Sequence, residues 1–108
     1  MLGLLLALNI YRQQNGLPPV RQMGSLCTYA NKRIGQLPND WSHRGFYASH
    51  PYKYMVENLS KDYSDAEVME AWKNSPTHRA NLLSNINYAC IISKTINGTH
   101  YVVMEGKK

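Results

Sequence analysis

The first third of the chain holds two segments in which apolar residues recur every three or four positions. The first segment contains Leu4, Leu5, Leu8 and Tyr11. This spacing predicts an amphipathic helix over about residues 2–15, which Gly16 ends. The second segment contains Met23, Leu26, Cys27, Ala30 and Ile34. It predicts a second helix that ends near Gly35.

The character of the chain changes between residues 38 and 54, where aromatic, polar and turn residues follow one another without a sustained period. Such a stretch predicts a long loop that carries function. A short strand is predicted directly after this loop, at residues 55–59.

Two helix starts follow the predicted strand. Ser64 and Glu67 have the spacing of a capping box, and the helix behind them should bury Trp72 against the sheet or a neighbouring loop. Ser75 followed by Pro76 is typical of the N-terminus of another, shorter helix. His78 consequently lies in the first turn of that short helix.

The last part of the chain predicts a hairpin. Two strand-like runs, at residues 88–96 and 99–105, are joined by Asn97 and Gly98, a pair typical of tight antiparallel turns. Residues 89–92 are apolar at every position, so both faces of that strand should be covered. We therefore expect an α+β fold, a three-layer α-β-α sandwich with a small antiparallel sheet of about three strands.

Length and composition narrow the class of protein. A chain of 108 residues suits a single domain over residues 1–108, and 44% hydrophobic with 18% charged residues excludes a disordered or fibrous class. The net charge of +5 is spread along the chain, which favours a solvated basic surface and no nucleic-acid partner. The apolar start is too short to span a membrane, and we expect any export signal to have been removed before this chain begins.

The two cysteines, Cys27 and Cys90, lie far apart and have neither zinc-knuckle nor redox-motif spacing. A disulfide between them would add on the order of 4 kcal/mol in the chain-entropy model and would imply an oxidising compartment. Two buried free thiols fit the sequence equally well.

Three residues stand out as candidate chemistry: His43, Glu57 and His78. Two imidazoles and a carboxylate suit Zn²⁺ or another divalent cation, and the same groups can act as general acid and base. Each also has an ordinary structural explanation, since a histidine in a first helical turn often packs or caps and a glutamate often binds backbone. The residue types alone leave both interpretations open.

Four blocks of the chain, in order, carry a resemblance to a known family. They are residues 5–19, residues 42–46, Glu57 with Asn58, and residues 71–83. The last block is the most specific, because it combines Trp72 with an Asn-Ser-Pro and a His-Arg-Ala-Asn run. Together they are similar to the CAP superfamily, which comprises cysteine-rich secretory proteins, insect venom antigen 5, plant pathogenesis-related proteins and many bacterial SCP-like domains.

The resemblance implies a secreted or extracytoplasmic domain with a cleft formed by His43, Glu57 and His78. Eukaryotic members carry a second cleft glutamate shortly after the tryptophan, where this chain has Asn74 or Ser75. A metal held by His43 and His78, with Glu57 as a further ligand, should therefore be weakly bound. His50 is the alternative to His43, but the Gly-Phe pair of the family motif does not follow it.

Three functions from different classes remain. We favour a secreted, non-enzymatic binding module whose cleft takes a divalent metal, a small lipid-like ligand or a cell-surface component, with no required cofactor and a monomeric chain. The second is a metal-assisted hydrolase. Its nucleophile would have to be metal-activated water, since no recognisable motif links a Ser or Thr to His43 or His78. The third is a purely structural or partner-binding extracellular domain.

Overall fold

A computed structural model describes residues 3–108 as five helices and three strands. The elements are α1 (Leu4–Gln14), α2 (Gly24–Gln36), α3 (Arg44–Ala48), β1 (Met55–Lys61), α4 (Asp65–Lys73), α5 (Pro76–Leu82), β2 (Tyr88–Ile96) and β3 (Thr99–Lys107). Residue 2, the predicted start of the first helix, lies outside the described residues.

The three strands form one antiparallel sheet in the order β1-β3-β2. Asn97 and Gly98 join β2 to β3, and both have positive φ, 51° and 81°, as the tight turn of a hairpin requires. Because β3 is central, Glu105 lies opposite Glu57 on one side and Cys90 on the other. β1 and β2 are the outer strands, and Arg21 adds a single parallel bridge to Tyr88 at the outer edge of β2.

Helices cover both faces of the sheet. One apolar core lies against α2 and includes Leu26, Ala30 and Ile34 of that helix. The other core draws on α1, α4 and α5, and includes Leu8, Trp72 and Leu82. Trp72 is buried, and its Nε1–H donates a hydrogen bond of 3.1 Å to the Leu59 carbonyl of β1. These layers confirm the predicted α+β sandwich with its small antiparallel sheet.

The loop predicted over residues 38–54 is wrong in one respect, because α3 lies within it. This helix has five residues and buries only Phe46, so it offers no repeating apolar pattern to detect. β1 also extends beyond the predicted residue 59, to Lys61, since pairing with β3 continues through Tyr101.

A disulfide joins Cys27 of α2 to Cys90 of β2, with the two Cα atoms 5.2 Å apart. It ties the α2 layer covalently to the sheet. The alternative of two buried free thiols does not describe this arrangement.

A buried arginine fixes the connection between α5 and β2. Arg12 of α1 donates hydrogen bonds to four backbone carbonyls, those of Pro18, Leu82, Ser84 and Ile86, at 2.9 to 3.4 Å. Burial lowers the pKa of this guanidinium. Arg12 therefore anchors α1 to the loop that leads into the hairpin.

None of the helices described for residues 3–108 has both the length and the apolar character needed to cross a membrane.

Candidate functional site

A surface cavity of about 400 Å³ lies between α3, β1 and α5. His43, Glu57 and His78 all line it, although they come from three separate elements. The His43 side chain is 38% exposed, so solvent reaches the cavity. The fold thus brings the three predicted site residues together, while their binding of a ligand stays a prediction.

His43 immediately precedes α3 and is held by a carboxylate behind it. Its Nδ1 lies 2.9 Å from Oε1 of Glu57. A carboxylate only accepts hydrogen bonds, so Nδ1 carries the proton and Nε2 of the neutral ring carries the lone pair. A carboxylate partner of this kind orients metal-binding histidines in many proteins.

Glu57 is itself bound by Arg33 of α2 through two hydrogen bonds. Nε of Arg33 donates to Oε2 of Glu57 at 2.7 Å, and Nη2 donates to Oε1 at 2.8 Å. Burial would raise the pKa of Glu57, but the hydrogen bonds from Arg33 and then His43 outweigh it and lower the pKa to about 2. Glu57 therefore stays ionised. Both of its oxygens are engaged by protein donors, so Glu57 orients His43, and its service as a further metal ligand stays a prediction.

Gly45, which follows Arg44 in the predicted motif, makes room for this ion pair. A Cβ at position 45 would come within 2.5 Å of Nη1 of Arg33, and it would also meet the side chain of Gln36. Nη2 of Arg33 additionally donates to the Ser42 carbonyl at 3.0 Å, which ties the segment before His43 to α2. Glycine at position 45 thus lets α3 approach the guanidinium closely.

Glu105 is a second buried acid that sequence reasoning missed. It lies opposite Glu57 in the β1–β3 register, is fully buried, and neither of its oxygens has a hydrogen-bond partner among the described residues. Burial, and then the neighbouring Glu57, raise the pKa of Glu105 to about 11. Glu105 is therefore a neutral acid. The sequence signal that could have identified Glu105 as a buried acid is its place directly after the apolar run Tyr-Val-Val-Met.

His78 is positioned from the other wall of the cavity, in the first turn of α5. Its Nδ1 lies 2.8 Å from the hydroxyl of Ser75. No sequence motif had indicated a Ser or Thr partner for either cleft histidine. Burial, and then the positive charge that His43 carries whenever it is protonated, lower the pKa of His78, which favours a neutral ring. When Nδ1 carries the proton, Nε2 of this ring also presents a lone pair.

Two asparagines join α5 to β1 at this point. Asn58 donates from Nδ2 to the His78 carbonyl at 3.0 Å. Asn81 donates from Nδ2 to the Glu57 carbonyl at 3.1 Å and to Oδ1 of Asn58 at 2.9 Å. The Asn residues of the two resembling motifs therefore hold the two walls of the cavity in register.

The other two histidines lie elsewhere. His50 is exposed, stacks on Phe46 with ring centroids 5.1 Å apart, and does not line the cavity. His100 has both ring nitrogens engaged, by Asp65 at 2.7 Å and Thr95 at 2.9 Å. Of the two loop histidines, only His43 reaches the cavity with Glu57 and His78.

Within residues 3–108, no three His, Cys, Asp or Glu side chains are grouped so as to hold a metal ion. Two imidazoles supply half of the four ligands that Zn²⁺ usually takes. Metal binding by His43 and His78 stays a prediction, and water or a bound ligand would have to complete the coordination.

Comparisons with known proteins agree with this fold. The chain matches the model of the cysteine-rich secretory protein family, CAP, over residues 5–105. An outer surface protein of Borrelia burgdorferi has a similar structure, with a TM-score of 0.83 and 18% identity over 97% of this chain and 90% of that one. A cysteine-rich secretory protein of Staphylococcus aureus is similar with a TM-score of 0.70 and 19% identity, over 96% of this chain but 36% of that one. Among curated proteins none matches this chain.

Proposed function

Because this chain belongs to the cysteine-rich secretory protein family, we propose that it is an extracytoplasmic binding module whose cavity takes a divalent cation such as Zn²⁺ through Nε2 of His43 and His78. The observation that carries the proposal is the hydrogen bond between Nδ1 of His43 and Glu57, which leaves Nε2 as the ligating atom. Arg33 supports this arrangement because it keeps Glu57 ionised.

The bound cation would supply a Lewis-acidic centre with positions left for water or for an oxygen of the ligand. His43 and His78 contribute neutral nitrogens and Glu57 contributes orientation. With two protein ligands the metal is held weakly, so its affinity depends on the ligand that shares it. A lipid-like molecule with a polar head or a component of a cell surface suits this kind of open cavity.

The location outside the cytoplasm is supported by two further observations. The Cys27–Cys90 disulfide is typical of oxidising compartments. The structurally similar Borrelia burgdorferi protein is an outer surface protein. We accordingly expect this domain to work in an extracytoplasmic or secreted setting.

Calorimetric titration with Zn²⁺ tests the metal site. The parent should bind one equivalent, and His43→Ala and His78→Ala should each lower the affinity by at least about ten-fold, since each removes one of two ligands. His50→Ala is the matched control, because His50 lies in the same segment as His43 but outside the cavity. Unchanged binding in both cavity variants, or an equal loss in the control, would contradict the proposal.

A further inference from the structure

A second cavity, of about 240 Å³, adjoins the first along β1, and His78 lines both. We name it the Trp41–Tyr63 groove after the two rings on its walls. Trp41 is 44% exposed and Tyr63 is 49% exposed, so both rings are open to a ligand, although Trp41 also lies 6.1 Å from the Tyr101 ring between centroids. Exposed Trp and Tyr rings offer an apolar face to a ligand together with a polar edge.

The groove also contains a hydroxyl that the protein does not use. Ser60 lines the groove and is 5% exposed, and its Oγ has no hydrogen-bond partner among residues 3–108. Buried hydroxyls are nearly always paired, because an unpaired one is destabilising. The Oγ is itself inaccessible, so a ligand hydroxyl at the floor of the groove would pair with Ser60 once that side chain rotates to another staggered rotamer.

Charge narrows the chemistry of the ligand. Lys61 is the single charged residue on the groove wall, and its Nζ lies 5.3 Å from the ring centroid of Trp41. The Lys61 residue is exposed, so the ammonium can turn towards a bound group. A negatively charged group next to the aromatic rings is therefore favoured over a neutral or positive one.

An added peptide strand is disfavoured, although β1 is an edge strand. The Glu57 carbonyl already accepts a hydrogen bond from Asn81, and the Leu59 carbonyl accepts one from Trp72. Strand addition needs these carbonyls, so α4 and α5 protect this edge. A compact ring with hydroxyls fits better than an extended backbone.

We propose that the Trp41–Tyr63 groove is a subsite for one pyranose ring of an acidic glycan. The C–H face of the sugar packs on the aromatic rings, its hydroxyls reach Ser60, and its carboxylate pairs with Lys61. An acyl chain would leave Ser60 and Lys61 unused. The subsite rests on the proposed binding-module function, but it does not depend on a metal ion.

Titration with trigalacturonate in the presence of a metal chelator tests the subsite separately from the zinc site. Binding should persist without metal and should change the fluorescence of Trp41, which is exposed where Trp72 is buried. Trp41→Ala and Tyr63→Ala should each lower the affinity by about ten-fold. Tyr54→Ala is the matched control, since Tyr54 is 45% exposed but lies outside the groove, and it should bind like the parent.

The methyl ester of the same trisaccharide tests the role of charge. Lys61→Met should lower the affinity for the acid by about two- to five-fold and leave the affinity for the ester unchanged. Ser60→Ala should weaken binding while melting no earlier than the parent, because it removes an unpaired hydroxyl. No binding of the acid by the folded parent, equal binding of acid and ester, or full affinity in Tyr63→Ala would overturn the subsite, whether or not Zn²⁺ binds.

Discussion

Arg12 and Arg33 are both almost fully buried, yet their surroundings differ in kind. Among the described residues, Arg12 donates only to backbone carbonyls and has no carboxylate partner, and burial lowers its pKa. Arg33 forms two hydrogen bonds with the Glu57 carboxylate; burial would lower its pKa, but that contact outweighs burial and raises it. Arg12 holds loops in place. Arg33 acts on the cavity, because it binds Glu57 and Glu57 in turn accepts a hydrogen bond from His43.

The largest effect is expected from Arg33→Met. It leaves the Glu57 carboxylate buried without its main partner, so the free energy of unfolding should fall by about 3–5 kcal/mol in chemical denaturation. Zn²⁺ affinity of the folded protein should fall by about ten-fold or more because His43 loses its orientation. Arg33→Lys keeps the charge but loses the bidentate hydrogen bonding to Glu57. Its free energy of unfolding and its Zn²⁺ affinity should both lie between those of the parent and those of Arg33→Met. An Arg33→Met variant as stable as the parent would show that the Arg33–Glu57 ion pair does not stabilise the fold.

Arg12→Met tests whether the two buried arginines have separate roles. The change leaves four carbonyls without their donor, and the free energy of unfolding should fall by about 2–4 kcal/mol. Zn²⁺ affinity of the folded fraction should stay within about two-fold of the parent, since the contacts of Arg12 lie outside the cavity. If zinc affinity fell as far as in Arg33→Met, the two arginines would not have separate roles.

Sequence reasoning found the elements whose signals are local. α2, α4 and the hairpin were predicted from apolar spacing, the Ser64–Glu67 capping box and the Asn97–Gly98 turn, each carried by a few neighbouring residues. α3 was missed because five residues with one buried side chain show no period.

The site was predictable only as far as the family resemblance extended. The fold brings His43, Glu57 and His78 to one cavity. Their residue types and context had drawn attention to them, and a functional role was favoured over a structural one only by the resemblance. The resemblance gave no sign of Arg33 or Glu105, because their roles arise from contacts between α2, β1 and β3 that are distant in sequence. An arginine on a helix face normally suggests solvent exposure, and only the neighbouring carboxylate explains its burial.

The smallest loss of stability is expected at the acid beside the Arg33 pair, with Glu105→Gln. The folded-state pKa of Glu105 is raised to about 11, so the stability that this group contributes is fully present below its ordinary pKa of about 4.5 and is lost progressively as the pH rises towards 11. The decline due to this one group is at most about 1.4 kcal/mol per pH unit. Glutamine does not titrate, so the variant should gain stability relative to the parent as pH rises. Parallel curves of unfolding free energy between pH 5 and 9 would show that Glu105 is not neutral in the fold.

The most direct test of the central claim is a long-range ¹H–¹⁵N correlation spectrum of the imidazoles, recorded with and without Zn²⁺. We expect His43 to carry its proton on Nδ1, donated to Glu57, and Zn²⁺ to shift the resonances of Nε2 of His43 and His78 while those of His50 and His100 stay unchanged. A proton on Nε2 of His43 in the metal-free protein, or Zn²⁺ shifts confined to His50 or His100, would contradict the claim that Arg33 and Glu57 prepare this cavity for a metal.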